Sequence, residues 1–206
     1  GMRFNQLAPQ HHATIRAQQA EIDTIDSKAS LAHYLGRMHR QDQSAFWTLY
    51  VDHDDKDSKM QVLRIHQSGL SMPNRDYYID RSAHMKSIRQ KYEQFHQELS
   101  QHLGELVPND WDDLYALEHT LAKAAWTNVK LRDIEKNYNR TTIDMLRKSY
   151  AFDWDQYFNG LGWITPSDNI VIGQPTYMRT VMALLESTPL DIVKVYLRWK
   201  SLLLVV

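Results

Sequence analysis

Apolar positions along most of the chain recur at helical spacing. Residues 4–25 carry Phe4, Leu7, Ile15, Ile22 and Ile25 on a loose helical period among Gln and Ala. Leu31, Leu35 and Met38 continue it after Ser30, a residue type suited to cap a helix. From 82 to 103 the residues Met85, Ile88, Tyr92, Phe95 and Leu99 are separated by 3, 4, 3 and 4 positions, which makes one apolar stripe. Gly104 supplies the stop. After Pro108, Asn109 or Asp110 is placed to cap a helix bearing Leu114, Leu117, Leu121 and Ala125. Thr141 or Thr142 opens a short helix through Ile143, Met145 and Leu146, and Asp153 opens another that the stretch 159–162 closes. Pro175 begins a helix with the stripe Met178, Val181, Met182 and Leu185, at a position where its missing N–H does no harm.

Residues 46–67 break the rhythm. "FWTLYV" is aromatic and β-branched, "DHDDKDS" is a polar turn, and "MQVLRIHQ" alternates, with Leu63 and Ile65 on one side and Arg64 and His66 on the other. Period two on both sides of a polar turn predicts a β-hairpin. "NIVIG", 169–173, reads as a short strand or an extended link. The expected fold is mainly α, a multi-helix domain with one small β-hairpin at about residues 46–67. Only 7 Gly and 6 Pro leave the helices largely uninterrupted.

The last helical pattern, "PLDIVKVYLRWKSLLLVV", has no glycine stop and no polar last turn. Either the helix end is buried in its own domain, or the polypeptide continues and further sequence covers Leu202–Val206. The second reading is preferred, because exposed aliphatics favour aggregation. Gly1 before Met2 resembles a residue left by tag cleavage. Residues 1–206 are therefore read as a single, truncated helical domain.

Composition removes several function classes. The chain has 206 residues, 24 basic and 25 acidic side chains, and a formal net charge of −1, so no basic footprint for nucleic acid is present. There are 0 cysteines, which excludes disulfides, thiolate catalysis and cysteine zinc sites. No apolar run approaches the roughly 20 residues of a membrane-spanning helix. The compartment stays open between cytoplasm and export.

Ten histidines invite a metal reading. In "HQELSQH", His96 and His102 are six apart, about 240° around a helix, so they diverge where H-E-x-x-H histidines converge. A solvated polar face opposite the Met85–Leu99 stripe is the expected role. His119 has Lys123 one turn on, not a ligand. The aspartates of "DHDDKDS" resemble a calcium loop, but the positions that need Gly and Glu hold Asp57 and Leu63, so an Asp-rich hairpin turn is the better account. No nucleophile elbow, phosphate loop or dinucleotide fingerprint occurs. Asp112 and Asp113 fit a helix N-terminus. Glu118 lies between Leu114 and Leu121. It is either a buried acid paired with Arg132 or another base, or a stripe-edge side chain reaching water.

The stretch "QSGLSMPNRDYY" and its surroundings resemble the neprilysin/endothelin-converting-enzyme type of zinc metallopeptidase. Gln67, Gly69, Leu70, Pro73, Arg75, Asp76, Tyr77 and Tyr78 fit the family's Q-x-G-L-x-L-P-x-R-D-Y-Y run, and Met72 replaces its usual Leu. "LEHTLAKAAW", "LRDIEKNYN", "DWDQYFNGLG", "NIVIGQPTYM" and "PLDIVKVYLRWK" follow in the family's order. The resemblance implies a piece of the N-terminal, mainly helical region, which packs over a catalytic domain and encloses a chamber for short peptides. It implies zinc in the parent enzyme, with H-E-x-x-H and E-x-x-x-D in a missing C-terminal catalytic domain. This chain then carries no catalytic, cofactor or metal residue and is inactive alone, and the motif residues are an architectural junction. Cysteine absence fits bacterial members. The alternative is a standalone helical binding or scaffold protein derived from the same family.

Overall fold

The computed structural model describes residues 9–107, 110–163 and 168–205. Phe4, Leu7, Pro108, Asn109 and Val206, named above, lie outside the described residues. Helix α1 spans Pro9–Asp23 and α2 spans Lys28–Arg40. Ser27, not Ser30, is the N-cap of α2. Ser30 sits three residues into the helix and completes a capping box, its hydroxyl accepting from Ser27 N–H at 3.0 Å while Ser27 Oγ accepts from Ser30 N–H at 3.1 Å.

The hairpin forms where alternation placed it. Strand β1 (Trp47–His53) pairs antiparallel with β2 (Gln61–Gln67), with Trp47 opposite Gln67 and His53 opposite Gln61. Two three-residue strands extend it into a four-stranded mixed sheet. These are β3 (Asn139–Thr141) and β4 (Ile170–Ile172), in the order β1-β2-β4-β3, with β4 parallel to β2. The "NIVIG" stretch is thus a strand, buried throughout because neighbours pair on both its edges.

Between these strands lie α3 (Asp76–Ile79), α4 (Ala83–Leu103), α5 (Trp111–Ala124), α6 (Asn128–Leu131), α7 (Ile143–Ser149) and α8 (Trp154–Leu161), and after them α9 (Pro175–Ser187) and α10 (Leu190–Leu202). Thr142 caps α7 and Asp153 caps α8, each side chain accepting a backbone N–H three residues on. Gly104 and Gly162 end α4 and α8 at φ 55° and 77°. Asp110 occupies the N-cap position of α5 without a side-chain hydrogen bond. The predicted stripes face one core. Leu31, Leu35, Leu99, Leu114, Leu121, Met178 and Val181 are all buried in it. At the chain end Leu202 is buried, Leu203 and Val205 pack against the core, and Leu204 is exposed.

Helices α2 and α8 pass closer than side chains allow. A Cβ added at Gly36 lies 2.1 Å from Tyr157 O, and one added at Gly160 lies 2.1 Å from His33 O. Glycine here lets two backbones touch, so neighbouring side chains interlock from both sides. Beside the crossing, His39 is buried. Its Nε2 lies 3.0 Å from Ala45 O and its Nδ1 lies 2.6 Å from Tyr157 Oη, which also accepts from Trp47 Nε1 at 3.1 Å. A carbonyl only accepts, so Nε2 carries the proton and Nδ1 accepts from the tyrosine. Burial pushes the imidazole down to about 4.

Two outcomes are expected. Gly36→Ala and Gly160→Ala each destabilise by about 3 kcal/mol through backbone overpacking. Gly104→Ala, where the added Cβ meets nothing and only φ is strained, costs about 1 kcal/mol. Urea midpoints measure this, and equal losses at all three sites would remove the close-contact account. The unfolded chain protonates His39 near pH 6.5 and the folded chain near 4, so the stability held by the neutral ring is lost as pH falls across that window. Between pH 7 and 5 the wild type should lose about 2 kcal/mol more than His39→Gln. Parallel pH profiles refute the assignment.

Candidate functional site

The family-like stretch 67–78 leaves β2 and runs to α3. Gln67 fastens its start. Its Oε1 accepts from Trp126 N–H at 2.6 Å, its Nε2 donates to Trp126 O at 3.1 Å, and its own N–H donates to Gln174 Oε1 at 2.7 Å. The side chain thereby pairs with the backbone just past α5 as a strand would. Gly69 has φ 100°, and a Cβ there would lie 2.4 Å from Tyr196 Oη and 2.6 Å from Phe46 N. Only glycine fits both constraints. Tyr196 donates to Gly69 O at 2.8 Å and accepts from Phe46 N–H at 3.1 Å. Tyr177 donates to Ser68 O at 2.6 Å and also reaches Phe46 O. Phe46 itself has φ 63°, an uncommon conformation for a side chain of that size. Two tyrosines, one from α9 and one from α10, hold the base of the hairpin.

Beyond Gly69 the loop folds over Glu118 of α5, whose side chain is 0% exposed. Of the two readings left open for this residue, burial is the one observed. Its partners are not Arg132 but three hydroxyls. Tyr78 and Tyr92 donate to Oε2 at 2.8 and 2.9 Å, and Ser71 Oγ donates to Oε1. Tyr78 Oη accepts in turn from the N–H groups of Ser71 and Met72, at 3.2 and 3.1 Å. Trp199 Nε1 donates to Tyr92 Oη at 2.8 Å, which brings α10 into the network. Lys200, also of α10, donates to Leu70 O at 3.4 Å and supplies the favourable positive charge. Burial raises the Glu118 carboxyl, and the hydroxyl hydrogen bonds and Lys200 oppose that rise. Burial and the Glu118 charge push the hydroxyls of Tyr78 and Tyr92 upward, so both keep their protons as donors.

The remaining motif residues point elsewhere. Pro73 and Asp76 are exposed, and Asp76 N–H is capped by Asn74 Oδ1 at 2.9 Å. Tyr77 is half-buried and its carbonyl accepts from Arg89. Leu70 packs between the two clusters of the core. Arg75 and Asp76 do not form an ion pair with each other. Arg75 instead lines a cleft of about 220 Å³ between the 66–75 loop and the 125–131 segment, with Tyr177 in its wall. Trp126 stands on the far side, fixed by Nε1 donating to Thr176 Oγ1 at 2.7 Å and covered by Lys130 Nζ, 3.8 Å from its ring centroid.

The metal reading gains no donor set. Among the described residues no three His, Cys, Asp or Glu side chains are grouped to hold a metal ion, so a zinc site does not fit this part of the molecule. His96 corrects the expectation of a solvated face. It is 2% exposed, sandwiched at ring-centroid distances of 5.5 Å from Trp111 and 4.8 Å from Trp199. Burial lowers its pKa, which keeps the ring neutral. It lies four residues from Tyr92 and three from Leu99, so it belongs to the apolar stripe itself. Glu98 and His102 are exposed. The Asp-rich turn also holds a buried member. Asp54 accepts from Lys56 N–H at 2.9 Å and Tyr138 Oη at 2.7 Å and pairs with Arg140, and these bonds depress its pKa. Sequence reasoning missed Ser71, Tyr78, Tyr92 and Lys200 as partners of Glu118, and Trp126 and Tyr177 as walls of the cleft. The one available signal was an acid inside an apolar stripe, which requires buried donors.

Glu118→Ala should cost about 3–5 kcal/mol, since three buried hydroxyls lose their acceptor. Glu118→Gln should cost less. Because the folded carboxyl titrates above the unfolded one, the wild-type advantage shrinks as pH rises from about 4.5 through the folded value. Denaturation midpoints of the two variants at pH 4 and 7 test this. A wild-type lead over Glu118→Gln that widens towards pH 7 contradicts it.

Comparison with known proteins matches this architecture. A model for the N-terminal part of Peptidase family M13 matches residues 2–205. Endothelin-converting enzyme 1 of Rattus norvegicus is 29% identical over 164 residues, covering 76% of this chain and 21% of its own length. Endothelin-converting enzyme-like 1 of Mus musculus is 30% identical over 165 residues, with the same 76% and 21% coverage. The crystal structure of Mycobacterium tuberculosis zinc metalloprotease Zmp1 with inhibitor superposes with a TM-score of 0.79 at 27% identity, covering 93% of this chain and 32% of that one. The same protein in its open state gives a TM-score of 0.77 at 26% identity, covering 96% and 32%. The chain therefore spans about a fifth of the curated relatives it matches and a third of the solved ones. The family model covers nearly the whole chain and the fold superposes on a member's: this chain is a member of Peptidase family M13 and corresponds to part of its N-terminal domain.

Proposed function

We propose that this chain is the non-catalytic, chamber-forming part of a zinc-dependent metalloendopeptidase that acts on short peptides. The observation that carries this reading is coverage. The helical unit matches an N-terminal family model from residue 2 to 205 and superposes on a third of a zinc metalloprotease. In this reading the zinc and its ligands belong to the C-terminal catalytic domain, which is the partner of this chain. The residues present here bind, position and exclude. The rigid loop over Glu118 and the tyrosine clamp hold a wall in place, and the motif residues Gln67 to Tyr78 act as its architectural junction.

The experiment is to extend the reading frame beyond the Val206 codon and assay both products. The longer protein is expected to carry H-E-x-x-H and E-x-x-x-D, to hydrolyse a quenched fluorescent decapeptide, and to lose that activity with a chelator. It should spare a folded protein of the same sequence content. The 206-residue chain with added zinc should show no cleavage. Peptidase activity in the short chain overturns its non-catalytic role. Equal rates on the decapeptide and the folded protein overturn the chamber. A stop directly after Val206 turns the reading to a scaffold.

A further inference from the structure

The cleft beside the 66–75 loop has the chemistry of a carboxylate site. Its only arginine, Arg75, has its Nε buried without a hydrogen-bond partner. No ion pair engages Arg75 among the described residues. The arginines of two other clefts are instead engaged in ion pairs. A larger one between α1 and α2, about 410 Å³, contains Arg37, but Arg37 pairs with Glu21 at 2.6 Å. The one on the outer sheet face contains Arg64, held by Asp55 at 2.8 Å.

None of the residues lining the Arg75 cleft is acidic. Its other polar side chains include His66, Asn74 and Asn128, and Trp126 offers an apolar face. A cation with spare donors, neutral amides and an aromatic wall, with no competing acid, suits a planar anion attached to an apolar group. Guanidinium binds a carboxylate through two parallel N–H donors. The volume of about 220 Å³ admits one or two amino-acid residues, not a folded surface.

We infer that this cleft binds the carboxylate of a short peptide, with Arg75 as the anion-binding residue and Trp126 as the wall for the adjoining side chain. The inference does not depend on the chamber reading, because it concerns a ligand of this chain by itself.

The test uses the 15N-labelled 206-residue chain and the indole N–H resonance of Trp126, assigned with Trp126→Phe. Three probes are titrated: N-acetyl-Ala-Leu as the free acid, the same dipeptide as its amide, and N-acetyl-Ala-Glu-amide. The free acid is expected to shift the Trp126 resonance saturably, and the amide to bind about tenfold more weakly. If N-acetyl-Ala-Glu-amide binds as well as the free acid, the cleft reads any carboxylate; if it binds as weakly as the amide, the cleft reads a chain terminus. Either result supports the site. Arg75→Gln should weaken the acid about tenfold and leave the amide unchanged. Asn128→Asp, which places an opposing charge in the cleft at an exposed position, should do the same without removing a native contact. Equal binding of acid and amide overturns the proposal. So does an unmoved Trp126 resonance, or unchanged acid affinity in both variants.

Discussion

A buried carboxylate in a helical core is tolerated only when its lone pairs are satisfied, and Glu118 sets that requirement for much of this molecule. Its three hydroxyl partners come from the loop at Ser71, from α3 at Tyr78 and from α4 at Tyr92. Each donor is itself fixed by something else. Tyr78 is held by the loop backbone it receives from, and Tyr92 by the Trp199 indole of α10. Five segments are thereby given one mutual geometry. Apolar burial alone would leave the Leu70–Asn74 stretch free to slide, because side-chain contact is non-directional and hydrogen bonding is not.

The same logic operates at the hairpin base with a different chemistry. Phe46 and Gly69 both adopt positive φ, so the chain turns sharply into β1 and out of β2. Turning leaves backbone groups that no strand can pair. Tyr177 and Tyr196 supply the missing partners from helices packed beneath. Tyrosine suits this work because its ring packs in the core while its hydroxyl reaches the peptide group. Cleft and loop thus rest on a hydrogen-bonded frame, beside which Arg75 keeps its Nε unpartnered.

The helices were legible because each carries a stripe of period 3.6 with a cap or a stop. The hairpin was legible because period two held for a full strand on one side and an aspartate-rich turn marked its tip. Strand β3 was not, and β4 was legible only as one of two readings of "NIVIG", since three residues hold less than two full alternations. "IVI" becomes a strand only through neighbours about 30 and 107 positions away in sequence. The close pass of α2 and α8 was also hidden: Gly36 and Gly160 look like ordinary helix interruptions until their backbones are seen to touch. His96 was assigned by residue type when its position on the stripe was the better guide. Glu118 was half legible. Its place in the stripe signalled burial, but the hydroxyls that accept it into the core lie 26, 40 and 47 positions before it in sequence.

The tyrosine clamp has a consequence for how the chain is made. Phe46 waits for Tyr177, 131 residues later, and for Tyr196, 150 residues later. During synthesis the hairpin strands emerge before α9 and α10, so their base stays unlocked until those two helices have left the ribosome. Until then a short aromatic β-ribbon has an open edge and unpaired turn amides, the kind of surface that invites pairing with a second nascent chain. Folding of this unit is therefore a late, long-range event.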